Sequence, residues 1–306
     1  MLTPNQEVKR LARKFAIQVS RMKIIQSGVY RVTTRSGKVY CLKRMPYPPS
    51  RIRWIDTTLK RMQKKDKRLR FGWRVPGKKL YVQLRNHNCP PFILTPWIKG
   101  AWPSSYSVRQ MKACGELLAR FHQAGHNINI PAAGKQRGAG TWTAYLRSEQ
   151  RDLQAAVRKA RRNGFRSPLD RMLQRHGSEI LRMGRLSLHA LKMNGYRRAC
   201  KTQKLTLCHG DFGPTNLIRK NKTMTIIDFG TLRMDLRAYD LYKALFNCGQ
   251  YNRWNFKAAK AFLEGYQKIS RISQTDFRML KALLHFPRGI SKHIQHYSSR
   301  SAKIKR

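Results

Sequence analysis

Asp211, Asn216 and Asp228 are the residues of this chain whose types and spacing suit the transfer of a phosphoryl group. Asp211 closes the turn His209-Gly210-Asp211 after a short apolar run (Leu205, Leu207), and Asn216 follows five positions later. Asp228 stands at the end of the next apolar run, before Phe229 and Gly230. Mg²⁺ takes oxygen ligands and keeps several waters, so one carboxylate, one amide oxygen and the phosphates of a substrate suffice to hold it. Asn216 and Asp228 supply that pair. The remaining carboxylate, Asp211, can then orient or deprotonate an attacking hydroxyl.

These three groups meet only if the intervening chain doubles back. Leu217-Ile218 reads as a strand, Lys220 to Thr223 as a polar turn, and Met224-Thr225-Ile226-Ile227 as a second strand. Folding that hairpin sets Asp211, Asn216 and Asp228 at one mouth. The chain has only 14 acidic residues in 306. Four of them, Asp211, Asp228, Asp235 and Asp240, fall between Leu207 and Leu245.

The two loops resemble the catalytic and metal loops of the protein-kinase-like superfamily, most closely its aminoglycoside phosphotransferase and choline kinase branch. Within that branch, Asp235-Leu-Arg-Ala-Tyr-Asp240-Leu, Ile93-Leu-Thr-Pro-Trp-Ile-Lys-Gly100 and Leu117-Leu-Ala-Arg-Phe-His-Gln-Ala124 are similar to the CotS-type spore coat proteins of endospore-forming bacteria. The matching pieces run from about residue 30 to 245.

The resemblance implies an α+β, bilobal kinase-like fold with a small antiparallel-sheet N-terminal lobe and a mainly helical C-terminal lobe. It places a nucleotide-binding lobe at 1–95, a catalytic lobe at 96–290 and a basic tail at 291–306. It implies that ATP is co-substrate, that Mg²⁺ sits on Asn216 and Asp228, and that Asp211 positions the hydroxyl of an unidentified acceptor. Lys43 takes the place of the lysine that pairs with the nucleotide phosphates. Thr95 and Trp97 fall where a hinge meets adenine, through the Thr95 carbonyl and the Trp97 N–H, because Pro96 has none. His209 shapes the catalytic loop, and Asp240 supports it from below. Kinase-like folds commonly place a Glu on the helix after the lysine. Here only Asp56 and Asp66 are acidic in that stretch, with Asp56 the expected substitute.

By the same resemblance the protein belongs to the cytoplasm of the mother cell and then to the spore coat. The alternative it leaves open is a catalytically weak or inactive scaffold of the coat that binds acidic partners. A third reading is a polyanion-binding protein with a vestigial motif.

Composition sets the outer limits. With 306 residues and 41% apolar content the chain can bury a sizeable core. No run of about 18 apolar residues occurs, so no membrane insertion is expected, and the charged start MLTPNQEVKRLARKF does not read as a secretion signal. The six cysteines form no CxxC pair, which argues against zinc and for reduced thiols. The net charge of +51 sets up a positive field that attracts polyanions, among them acidic coat proteins and nucleic acid, or simply covers a solvated surface. It also disfavours a cationic acceptor.

The remaining elements follow in order. Val8, Leu11, Ala12 and Phe15 have helical spacing. Ile24-Ile25, Val29 to Val32 and Val39 to Lys43 read as strands, the last two joined by a Ser36-Gly37 turn. Arg51 to Arg70 reads as a basic helix, and Lys79 to Leu84 with Pro91 to Thr95 as a strand pair. A helix from Ser107 stops at Gly125, with His122 as a helix-end residue. The Gly- and Ala-rich stretch from Pro131 to Gly140 reads as a flexible edge of the substrate cleft. Residues 141–204 are helical and basic, with Arg158, Lys159, Arg161 and Arg162 in one cluster. Helices continue from Asp240, Phe256 and Gln274, Asp240 lying where a carboxylate satisfies free N–H groups.

Overall fold

The computed structural model describes residues 4–83, 90–128, 130–164, 166–203 and 205–294. The chain begins with α1 (Pro4–Lys14), β1 (Val19–Gln26), β2 (Val29–Thr34), β3 (Val39–Arg44), α2 (Pro49–Lys65) and β4 (Phe92–Pro96). Four helices follow: α3 (Val108–Gly125), α4 (Trp142–Arg162), α5 (Pro168–Met193) and α6 (Tyr196–Thr202). The chain then runs through β5 (Thr206–Cys208), β6 (Leu217–Lys220), β7 (Thr223–Ile226) and β8 (Arg233–Asp235) to α7 (Ala238–Tyr251), α8 (Phe256–Ile269) and α9 (Gln274–Leu284). These elements form two compact units. The first comprises 1–137, 206–234 and 243–271, and the second 138–205, 235–242 and 272–306.

In the first unit β1 to β4 make an antiparallel sheet in chain order, with Tyr30 opposite Leu42 and Leu42 opposite Leu94. Side chains alternate across a strand, so Val32, Leu42 and Leu94 share one face. The apolar stripe of α1 covers it: Val8, Leu11, Ala12 and Phe15 join them in one buried cluster. Each such side chain contributes about 1.5–3 kcal/mol on burial, enough to hold a short basic helix on the sheet. Gly37, at φ +75°, turns β2 into β3 as expected from Ser36-Gly37.

Three local expectations change. The basic helix stops at Lys65 instead of Arg70, because the Asp66 carboxylate accepts the Arg68 N–H at 3.0 Å and replaces helical bonding with a side-chain turn. The stretch from Lys79 to Gln83 forms no strand and meets β4 at one bridge, Val82 to Phe92. Leu84 and Cys89 lie outside the described residues. Third, residues 288–294 are helical, with Ser291 and Ile294 buried, and the rest of the stretch read as a basic tail lies outside the described residues.

Helix α3 begins at Ser107, whose hydroxyl accepts the Gln110 N–H, and packs on α8. The crossing depends on glycine from both sides. A Cβ at Gly115 would lie 2.0 Å from the Phe262 carbonyl, and one at Gly265 2.0 Å from the Lys112 carbonyl. Backbone cannot yield as a side chain can. Gly115→Ala is therefore expected to lower the free energy of unfolding by about 2–3 kcal/mol, read as a lower urea midpoint; an unchanged midpoint would contradict this packing. Gly125 ends α3 for a similar reason, since a Cβ there would meet Leu207 Cβ at 2.6 Å. His122 is a buried core histidine whose Nδ1 lies 2.7 Å from Tyr266 Oη.

In the second unit α4 packs on α5 and α5 on α9. Leu146, Leu153, Val157 and Ala160 form the inner face of α4, while Arg158, Lys159, Arg161 and Arg162 all point to solvent. Ser167 and Asp170 cap α5 reciprocally, as Ser273 and Asp276 cap α9. Trp142 stacks on Tyr196 at 4.6 Å and donates its indole N–H to Asp235 at 3.2 Å. No described helix is long and apolar enough to cross a membrane, and no described cysteine is in a disulfide.

Candidate active site

The hairpin β6–β7 pairs Leu217 with Ile226 and Lys220 with Thr223, and that register brings its two ends together. Ile227 donates its N–H to the Asn216 carbonyl at 3.0 Å, one residue before Asp228. Asn216 in turn points its amide N–H groups at Asp211, 2.8 Å from the backbone oxygen and 3.2 Å from Oδ2. His209 ties the loops: its Nδ1 accepts the Asp211 N–H at 3.3 Å and its Nε2 lies 3.0 Å from the Ile227 carbonyl. The first contact requires Nδ1 to be unprotonated, so Nε2 carries the proton and donates it. Both ring nitrogens are thereby engaged with backbone groups of the two loops.

Asp228 adopts φ +62°, ψ +71°, a left-handed conformation that costs a non-glycine residue about 1–2 kcal/mol. Its neighbour offsets that strain. Phe229 is fully buried, with its ring 5.3 Å from Phe71, 6.1 Å from Trp73 and 5.4 Å from His209. The side chain of Asp228 thereby stays at the surface, where Lys43 Nζ approaches Oδ1 at 2.7 Å. Lys43 projects from β3, so the sheet and the hairpin meet in this ion pair.

The Lys43 contact does not involve the α2 acid. Asp56 is buried and held by Lys60 at 2.7 Å and Arg74 at 3.1 Å. The residue of α2 that reaches the loop is a cation, Arg51. Its guanidinium is 5% exposed and donates to the carbonyls of Gly134 and Leu232 and, more weakly, Gly230, and to Gln136 Oε1, while lying 4.6 Å over the Trp54 ring. Burial lowers its pKa to about 10, against a smaller raising effect of Tyr47, so it remains charged at neutral pH. The glycine-rich stretch that looked flexible is pinned by the same contacts, and Met234 N–H adds a bond to the Gln136 carbonyl at 2.8 Å.

Two groups on α7 reach Asp211 that the sequence reading did not single out. Lys243 Nζ lies 2.8 Å from Oδ1, with its side chain 13% exposed, and Asn247 Nδ2 lies 3.2 Å from the same oxygen. They are four positions apart and share a helix face, a spacing legible in the sequence, but which group that face meets is decided by packing. Nothing in the sequence marks Arg51 among 65 basic residues. Burial pushes the Asp211 carboxyl upward, but the charge and hydrogen bond of Lys243 and the hydrogen bond of Asn247 outweigh it, leaving its pKa below the ordinary aspartate value. Asp240 is fully buried in the first turn of α7 and belongs to the second unit.

The register of β4 corrects the expected hinge groups. Trp97 donates its N–H to the Val39 carbonyl at 3.3 Å, Cys41 is opposite Thr95, and Phe92 exchanges both bonds with Val82 on the other side. In an antiparallel ladder the N–H and C=O of one residue point the same way and alternate along the strand. Thr95 and Trp97 therefore face β3, while Leu94 and Pro96 turn their carbonyls to the outer edge. The Trp97 ring is occupied as well, with Arg31 at 5.3 Å.

The donor set fits a hard divalent cation. With both amide contacts of Asn216 made by Nδ2 to Asp211, the amide is oriented and Oδ1 is the atom that could face a cation. Asp228 adds a carboxylate that is 44% exposed. Neither offers sulfur or imidazole, which suits Mg²⁺ over softer metals.

Comparison with known proteins agrees with this geometry. Residues 24–281 match the family model described as APH, phosphotransferase enzyme family. Homoserine kinase of Afipia carboxidovorans is 27% identical over 204 residues, spanning 63% of this chain and 52% of that protein. Homoserine kinase of Rhodospirillum rubrum is 25% identical over 202 residues, spanning 63% and 53%. The chain thus spans about half the length of the curated relatives it matches. Among solved structures, an aminoglycoside phosphotransferase from Alicyclobacillus acidocaldarius superposes with a TM-score of 0.76 at 19% identity, over 96% of this chain and 86% of that one. A spectinomycin phosphotransferase in complex with AMP gives 0.69 at 18%, over 98% and 90%. At such identities the likeness is one of fold, and that fold is protein-kinase-like.

Proposed function

Because the chain belongs to the phosphotransferase enzyme family, we propose that it transfers the γ-phosphoryl group of ATP to a hydroxyl of a small acceptor. The observation that carries this reading is the convergence, within one compact unit, of Lys43 on Asp228 at 2.7 Å and of Asn216 on Asp211 at 3.2 Å.

In this reading residues 1–95 bind nucleotide and Lys43 pairs with its phosphates. The adenine edge meets the carbonyls of Leu94 and Pro96. Asn216 Oδ1 and Asp228 hold Mg²⁺, which when bound neutralises phosphate charge. Asp211 accepts a hydrogen bond from the acceptor hydroxyl and aligns its oxygen with the γ-phosphorus. As the new P–O bond forms and the bond to the bridging oxygen breaks, the hydroxyl proton passes to Asp211 and ADP leaves. A loose transition state demands positioning more than a strong base, so a carboxylate held ionised by Lys243 suits the role.

The acceptor class follows from charge. A chain of net charge +51, with Lys243 beside the catalytic carboxylate, repels a cation and favours a hydroxyl compound that carries a carboxylate. The names of the curated relatives, homoserine kinases, support a molecule of hydroxy-amino-acid size. An association with the spore coat rests on the three CotS-like segments alone, and a coat scaffold binding acidic partners is the second reading, favoured by the same charge.

Thermal shift with MgATP separates them. A ligand that binds only the folded state raises the melting temperature. The expected result is a Mg²⁺-dependent rise that survives raised salt and disappears in Asp228→Ala. If polyphosphate gives the same rise, indifferent to Mg²⁺ and to Asp228, the scaffold reading replaces the enzyme. ADP release should then be stimulated by homoserine and not by a cationic aminoglycoside.

A further inference from the structure

The charge of +51 is not used up by a phosphotransferase site, and exposed aromatic side chains are unevenly placed on the surface that carries it. Five of them stand in two segments of the first unit: Trp102 and Tyr106 before α3, and Tyr251, Trp254 and Phe256 from the end of α7 to the start of α8. Each is between 52% and 78% exposed, and among the described residues only Tyr145 and Phe277 are comparable elsewhere. The two segments touch. Asn252, itself buried, donates its side-chain N–H to the Ser105 carbonyl at 3.0 Å. That bond sets Tyr106 beside the Tyr251–Trp254 turn.

The turn is built to hold a ring outward. Arg253 and Trp254 take consecutive positive φ values of +52° and +59°, a conformation L side chains seldom adopt. Trp254 N–H bonds the Gly249 carbonyl at 3.0 Å, and Asn255 N–H bonds Asn252 Oδ1 at 3.2 Å. A Cβ at Gly249 would lie 2.5 Å from Trp254 Cε3, and the Phe246 ring meets the indole edge-on at 5.8 Å. The indole is fixed along one side and 59% exposed on the rest. Rigid, outward rings of this kind lose little entropy when something stacks on them.

Charge decides what stacks. No acidic residue occurs in 97–110 or 246–262, while Arg109, Arg253 and Lys257 stand exposed among the aromatics. Planar faces interleaved with exposed cations suit a ligand that alternates flat rings with phosphates. We infer that this surface binds single-stranded nucleic acid, with bases on Trp254, Phe256 and Tyr106 and backbone phosphates on the arginines and lysines. A duplex hides its base faces, and an acidic protein offers charge with few rings.

The test is fluorescence anisotropy of a labelled thymidine oligonucleotide of about 12 nucleotides with the full chain and with Phe256→Ala, Tyr106→Ala, Trp254→Ala and Arg253→Ser. Phe256 and Tyr106 serve because their exposure leaves the fold intact even if the Trp254 variant is lost. Lys9→Ser with Arg10→Ser, exposed on α1, controls for charge alone. The expected result is affinity about tenfold weaker in each aromatic variant, quenching of tryptophan emission on binding, and no aromatic dependence for base-free polyphosphate. The inference is overturned if the aromatic variants bind like the parent, if duplex DNA binds as tightly as the single strand, or if poly-glutamate competes and its binding is lost in the same variants.

Discussion

Asp211→Asn should lower kcat by about two to four orders of magnitude while leaving the KM for ATP within about twofold. The substitution keeps the shape of the side chain but removes the negative charge that, in the proposed mechanism, aligns the acceptor hydroxyl and takes its proton. The nucleotide contacts proposed for Lys43, Asp228 and the edge of β4 are untouched. Steady-state rates at saturating ATP check this, and a variant that loses ATP affinity in proportion to rate would assign Asp211 to nucleotide binding instead. The pH dependence follows from the lowered Asp211 pKa. A depressed carboxylate contributes stability that is fully present above the unfolded-state value and is lost as pH falls through the folded-state value. The same ionised form is the working form in the proposed mechanism, so the acid limb of kcat is expected below the ordinary aspartate range. Lys243→Met removes the neighbouring charge and should move that limb to higher pH.

Arg51→Met is expected to be the most destabilising single change near the site, costing about 3 kcal/mol. Two effects oppose each other. Removing a buried cation relieves its desolvation, which by itself can be neutral or favourable. Against this, the carbonyls of Gly134 and Leu232 lose a charged donor inside the protein, and Gln136 Oε1 loses its partner. Each buried acceptor left without a donor costs about 1–3 kcal/mol, so the second effect wins. Because Leu232 and Gly230 follow Asp228, kcat should fall together with stability, and Arg51→Lys, which keeps charge but not the fork, should recover part of both. Urea unfolding and initial rates measure the two losses. A variant as stable as the parent would show that loop 134–136 and the segment after Asp228 are held by other contacts.

Much of the site was legible because its signals are short-range. The turn at His209-Gly210-Asp211, the alternating strands on either side of Lys220 to Thr223 and the polar groups at their ends lie within a few residues of one another, and a hairpin register admits little freedom. Helices were read from spacing for the same reason. Which backbone groups of β4 face β3 could not be read locally, because period-2 alternation has no phase until a partner strand fixes it. The Val39–Trp97 bond supplies that phase and turns Leu94 and Pro96 outward. The missing strand before β4 and the early end of α2 were decided by one bridge and one side-chain turn, each stronger locally than propensity.

The sequence by itself determined which groups are available for the proposed chemistry, Asp211, Asn216 and Asp228 around a hairpin and a lysine near the end of β3, and it determined the net charge of +51. Tertiary structure alone decided the partners. Lys43 with Asp228, Lys243 with Asp211 and Arg51 with Leu232 are each far apart in the chain. A side chain's reach is a few ångströms, and which distant groups come within it depends on packing such as the Gly115–Gly265 crossing, which no local pattern encodes.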